Sequence, residues 1–98
     1  MGRYSVYRLR SGELVVDCQA DLLAHLQTRI VAPLVPADDV PRPMKRLNPS
    51  FLVDGASLLL ATHLVGAIHV DDIVEEVTSL TARDNDIANA LDFLMIGF

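Results

Sequence analysis

Asp54–Gly55, set between the apolar runs Phe51-Leu52-Val53 and Ser57 to Ala61, constrains this chain more than any other pair of residues in it. A two-residue loop of this composition closes a β-hairpin through a type I′ turn, in which both central residues take positive φ and glycine does so at no steric cost. Two apolar runs joined in this way lie side by side in an antiparallel sheet. The second half of the chain therefore contributes a hairpin, and the remaining segments decide what that hairpin packs on.

The first half supplies more sheet. Tyr4 to Arg10 alternates and Glu13 to Gln19 is rich in valine, with Ser11–Gly12 between them, which reads as another hairpin. A looser stretch covers 21–28, and Arg29 to Val35 forms a third strand. Pro33 inside that strand cannot donate to a ladder and points to an edge position or a bulge. Pro36, Pro41, Pro43 and Pro49 exclude a regular strand or long helix over 36–49, leaving a surface excursion with one helical turn near Met44–Leu47. A short strand around Ala67 to Val70 follows the central hairpin.

At the C-terminus the hydrophobic period changes. Thr81 is placed as an N-cap with Asp84 three residues on, and Asp84 and Asp86 suit the positive end of a helix dipole. Ile87, Leu91, Leu94 and Met95 recur at i, i+4, i+7 and i+8, one apolar stripe of a helix from about Ala82 to Met95 that ends at Gly97. Ile96 lies off the stripe, on the face of Asn85, Asn89 and Asp92. It is either an ordinary exposed apolar residue or an anchor for a partner.

The 98 residues hold one domain, spanning 1–98, with one core. Hydrophobic residues reach 51% against 21% charged, more apolar than a body of this size needs on its surface. A face shared with a second copy and a tightly apolar monomer core both account for the excess. A formal net charge of −5 argues against a basic stripe for nucleic acid, and Arg42, Lys45 and Arg46 read as a solvated loop. Cys18 is the one cysteine, a buried inert thiol of a reducing compartment, and no cysteine–histidine spacing suits zinc. The start, MGRYSVYRLR, lacks the apolar core of a signal peptide, and Leu58 to Ile68 is too short to span a bilayer. These features predict a cytoplasmic protein without membrane contact.

Sites of chemistry are sparse. There is no Gly-rich phosphate loop, no G-x-S-x-G and no H-E-x-x-H. His25, His63 and His69 are scattered. Asp71–Asp72 with Glu75–Glu76 reads as a solvated run, and Asp84-Asn85-Asp86 lacks the glycine and glutamate of a calcium loop. The expectation is a protein that grips another protein, with no catalytic residue, cofactor or metal site.

Several blocks in order resemble the CcdB family of bacterial toxins. Leu14-Val15-Val16-Asp17-Cys18-Gln19-Ala20-Asp21 looks like that family's V-D-x-Q-S-D block, and Arg29-Ile30-Val31-Ala32-Pro33-Leu34 is similar to its R-M-V-I-P-L segment. Leu47-Asn48-Pro49, Glu75-Glu76-Val77, Leu80, Asn85-Asp86-Ile87, Asn89-Ala90 and Gly97 follow with the family's spacing.

The resemblance implies a β-rich α+β fold, an SH3-like barrel of antiparallel strands with a C-terminal helix, as in the CcdB, MazF and Kid toxins. It implies a homodimer that binds the A subunit of DNA gyrase, traps the gyrase–DNA cleavage complex, and is neutralised by a cognate CcdA-like antitoxin. No direct contact with nucleic acid is implied. Carried over onto this sequence, the gyrase-binding residues are Ala20, Leu22, Leu23, Asp92, Met95, Ile96, Gly97 and Phe98. Ile96, Asp92 and Ala20 stand where the family has tryptophan, asparagine and serine. These three motivate the alternative of a homologue that no longer poisons gyrase and serves as an antitoxin-binding regulatory dimer. A MazF-like endoribonuclease is the further alternative, disfavoured here by net charge and scattered histidines.

Overall fold

In the computed structural model, which describes residues 2–97, seven strands form one antiparallel sheet followed by a helix. The strands are β1 (Ser5–Leu9), β2 (Leu14–Asp17), β3 (Thr28–Val35), β4 (Ser50–Val53), β5 (Ala56–Leu60), β6 (Gly66–His69) and β7 (Ile73–Ser79), and the helix is α1 (Asp84–Ile96). Their order is β4-β5-β3-β2-β1-β7, with β6 paired to β3 off this path. The sheet curls into a half-barrel with the helix behind it, which is the fold expected.

Both predicted hairpins form. Val6 pairs with Val16 across β1 and β2, and Val53 pairs with Ala56 around the central turn. Asp54 and Gly55 take φ of 51° and 82°, the two positive values that a type I′ turn demands.

Pro33 is not on an edge strand, which corrects the expectation. β3 bonds β2 along one side, while its other side bonds β6 through residues 28–31 and β5 through 34–35. Pro33 falls between those two partners, so its missing N–H interrupts neither ladder. Its carbonyl still accepts from the Ala61 N–H at 2.8 Å.

β7 has no counterpart among the strands expected from the sequence. Its register against β1 slips between Val6 and Tyr7 and again between Arg8 and Leu9, and each bulge breaks the strict alternation that marks a strand. The helical turn of the proline-rich excursion is present, with the Asn48 N–H donating to the Met44 carbonyl at 2.7 Å.

The helix starts two residues later than expected. Thr81–Arg83 is a 3₁₀ turn, and no side chain caps α1. Thr81 Oγ1 is instead 2.7 Å from Ser79 Oγ, and Asp84 Oδ1 accepts from the Asn85 N–H at 2.8 Å. Ile87 and Ala90 are fully buried and Leu91 packs on the same core, whereas Met95 is 76% exposed and does not belong to the buried stripe.

Apolar side chains fill both faces of the inner strands. Tyr4, Val6, Val16, Leu34, Phe51 and Leu60 meet Ile87 of α1 on one face, and Tyr7, Leu9, Val15 and Val31 cluster on the other.

Candidate partner-binding surface

Between β2 and β3 the chain turns at Asp21–Leu23, a single 3₁₀ turn without a buried residue. Leu22 at its tip is 89% exposed and Leu23 43% exposed, and Ala20 is exposed beside them. Leu26, for which the sequence carries no signal, adds to this apolar tip at 41% exposure.

What holds the tip is a buried polar network. Asp17 Oδ2 accepts from the Tyr7 hydroxyl at 2.6 Å and from Arg29 Nε and Nη2 at 3.0 and 2.6 Å. Asp17 Oδ1 accepts from the Gln19 N–H at 3.0 Å. Gln19 then donates from Nε2 to the Leu23 carbonyl at 3.0 Å, and its Oε1 accepts from the Ile30 N–H at 3.2 Å. Asp17, Gln19 and Arg29, which the sequence presents as family signature, therefore shape the turn that carries Ala20, Leu22 and Leu23. Burial pushes the Tyr7 phenol well above its usual range, and the hydrogen bond to Asp17 and that carboxylate's charge add to the shift. Burial likewise pushes the Cys18 thiol up to about 12, with Asp17 contributing, as expected for an inert cysteine.

The second apolar group is the free end of α1. Ile96 is 62% exposed beside Met95, and Asp92 is exposed one turn back. Gly97 ends the helix at φ +91°, with its N–H reaching the Asp92 and Phe93 carbonyls at 3.3 and 3.1 Å. The left-handed cap explains why glycine stands there. Phe98, the last of the predicted site residues, lies outside the described residues.

Tyr4 sits between the two groups. Its neighbour Arg3 donates from the backbone to Asp21 Oδ1 at 2.7 Å, while its ring packs in the core with Ile87 of α1. Burial raises the Tyr4 phenol, Arg3 opposes, and the Asp84 and Asp92 charges on the helix add to the rise. Tyr4 holds φ at 69°, fixed by its N–H to the Asp17 carbonyl and by its carbonyl to the Leu80 N–H. Among the described residues no hydrogen bond joins the 3₁₀ tip to the last turn of α1.

The family described as CcdB protein matches residues 3–97. This chain belongs to the CcdB family. Two solved structures share its fold. One, an endoribonuclease in complex with its cognate antitoxin from Mycobacterial species, superposes with a TM-score of 0.78 at 15% identity, covering 97% of this chain and 94% of that one. The other, an endoribonuclease from Mycobacterial species, gives 0.75 at 15% identity, covering 97% and 90%.

These neighbours overturn the expectation that a CcdB-family chain such as this is not an enzyme. The charge argument behind that expectation averages over the whole surface, and the structure shows why the average misleads. Arg42, Lys45 and Arg46 are exposed together on one loop, and none has an ion-pair partner among the described residues. Arg46 lies 4.9 Å over the Phe93 ring, tying that loop to α1. Arg83 lies 4.6 Å over the Phe51 ring and bonds Asp86 at 2.6 Å. The histidines stay apart: His63 Nδ1 is 3.4 Å from Asn48 Nδ2, and His69 Nδ1 is 3.4 Å from Asp71 Oδ2. Among the described residues no three His, Cys, Asp or Glu side chains gather as a metal site, and no helix is long and apolar enough to cross a membrane.

Proposed function

We propose that this CcdB-family chain is the toxin of a toxin–antitoxin pair, a homodimer whose helix ends and 3₁₀ tips engage DNA gyrase through its A subunit, trapping the enzyme on cleaved DNA. A cognate CcdA-like antitoxin covers the toxin and releases the enzyme. The observation that carries this reading is the exposure of Met95 and Ile96 at the free end of α1, beyond the last residue that the core needs. Large apolar side chains left in water at a rigid helix end are suited to be anchors of an interface. Leu22 and Leu23 give a second exposed apolar group on a turn that Gln19 holds rigid. Two such groups repeated by a dimer axis fit a target that is itself twofold.

The shared fold favours a second reading, cleavage of RNA. That chemistry needs cations for the phosphate and an acid–base group nearby. Arg42, Lys45 and Arg46 supply the first, and His25, His63 and His69 are the candidates for the second by residue type alone.

Inducing the chain in cells that carry a matching gyrase separates the two. Gyrase poisoning predicts broken chromosomal DNA and intact messenger RNA, and both growth arrest and breakage disappear when Phe98 is deleted or Ile96→Asp is introduced. Cleaved RNA with intact DNA supports the endoribonuclease instead. Neither effect, from a folded dimer, leaves the antitoxin-binding regulatory dimer.

A further inference from the structure

Arg3 carries a charge that neither the core nor any ion pair among the described residues uses. Its side chain is exposed, yet it is held in place. The backbone N–H donates to Asp21 Oδ1 of the 3₁₀ tip at 2.7 Å, and the guanidinium carbon lies 4.8 Å over the centre of the Tyr4 ring. Tyr4 is itself fixed, by its N–H to the Asp17 carbonyl at 2.6 Å and its carbonyl to the Leu80 N–H at 2.9 Å. An arginine stacked on a fixed ring has already given up part of its rotamer freedom, which lowers the cost of ordering it in an interface.

Asp92 is the matching anion. It is exposed in the last turn of α1, a turn without a basic residue, and it too has no ion-pair partner among the described residues. A negative charge at that end opposes the helix dipole, so helix formation does not favour it. Both charges act on the Tyr4 phenol with opposite sign, and that of Arg3 also reaches the Cys18 thiol just before the tip. An uncancelled cation and anion therefore flank one ring, between the apolar tip at Leu22 and Leu23 and the apolar helix end at Met95 and Ile96.

We propose that Arg3 and Asp92 select the partner by charge: the target presents a carboxylate to Arg3 and a cation to Asp92. This rests on the reading that the tip and the helix end bind the gyrase A subunit, and it adds the chemistry that the bound surface must carry. Exposed leucine, methionine and isoleucine supply adhesion without choosing among apolar targets. Two opposite charges at fixed positions set orientation, speed the approach of a complementary surface and repel one of the wrong sign. Arg3 is thereby a specificity-determining residue beyond the apolar anchors.

The test measures association and dissociation rates of the full chain with purified gyrase A subunit from the same organism, at low and at high salt. Association with the native chain slows as salt rises. Arg3→Glu and Asp92→Lys each slow association about tenfold at low salt, change dissociation little and weaken the salt dependence. Arg3→Gln and Asp92→Asn, which remove the charge without reversing it, give smaller losses in the same direction. All four variants keep their denaturation midpoints, because both side chains are exposed and the Arg3 backbone bond to Asp21 needs no particular side chain. Native binding with unchanged rates in the four variants, or faster association of Asp92→Lys, overturns the proposal and leaves the gyrase reading standing. A native chain that does not bind the subunit at either salt concentration overturns both.

Discussion

Asp17 concentrates the energetics of single residues. Its carboxylate is fully buried against Arg29, itself 1% exposed, and removing one partner of such a pair leaves an uncompensated charge. Asp17→Asn is predicted to cost about 3–5 kcal/mol in chemical denaturation, whereas Tyr7→Phe, which removes one hydrogen bond to the carboxylate and leaves the ion pair in place, costs about 1.5–3 kcal/mol. Equal losses would contradict this division. The network also sets a pH dependence. The unfolded chain releases the Cys18 proton near pH 9.0 and the Tyr7 proton near 10.0, while the folded chain holds both to higher pH. The folded state then binds more protons than the unfolded one, so its stability is full below pH 9 and is lost as pH rises beyond it. Denaturant midpoints are predicted to fall from about pH 9 upward, with a shallower slope in Cys18→Ala. At this scale the sequence exposes identities and conceals partnerships. Asp17 and Arg29 are legible as family signature, but twelve residues of chain separate them, and only the pairing of β2 with β3 shows that they meet. Tyr4 in a left-handed conformation has no sequence signal at all, since that region favours glycine and asparagine.

Elements whose signal is local are legible, and those set by their neighbours are not. The Asp54–Gly55 turn follows from two residues. An added Cβ at Gly55 meets nothing within 4 Å, so any cost there is backbone strain at φ +82°. Gly55→Ala is predicted to destabilise by about 1–2 kcal/mol, and Gly55→Asn by clearly less, since asparagine tolerates this region. Similar losses for both would show that the side chain, not the backbone, matters at this turn. β7 escapes a reading by pattern because two bulges against β1 disturb its alternation. Pro33 suggests an edge because a proline inside a sheet usually has one, yet a central strand that changes partners from β6 to β5 offers the same vacancy. Met95 satisfies the helical period of the stripe, but α1 overruns the sheet before reaching it. Periodicity gives direction around a helix and says nothing of where the core stops.

Across the whole molecule, averaged quantities mislead and local ones inform. Net charge predicts no cationic surface, and the structure exposes Arg42, Lys45 and Arg46 together on one loop, with Lys45 and Arg83 lining one surface depression. Part of the apolar-rich composition is core, and large apolar side chains also surface at Leu22, Leu52, Leu64, Met95 and Ile96. Of the predicted site, Ile96 and Gly97 are legible in the sequence as an exposed, capped helix end. The rigidity of the 3₁₀ tip is not, because it depends on Gln19 reaching across to Leu23 and Ile30. The joint substitution of Met95→Glu and Ile96→Glu is predicted to change stability by no more than ~0.5 kcal/mol, because both side chains already stand in water. The same protein loses its activity in cells; retained growth arrest would detach function from this surface. The most direct measurement of the central claim is a plasmid-cleavage assay with purified gyrase from the organism that carries this chain, titrated with the pure protein. Linear DNA is expected to accumulate with the native chain and not with the doubly substituted one. Intact supercoiled plasmid at every concentration of a folded dimer would contradict it.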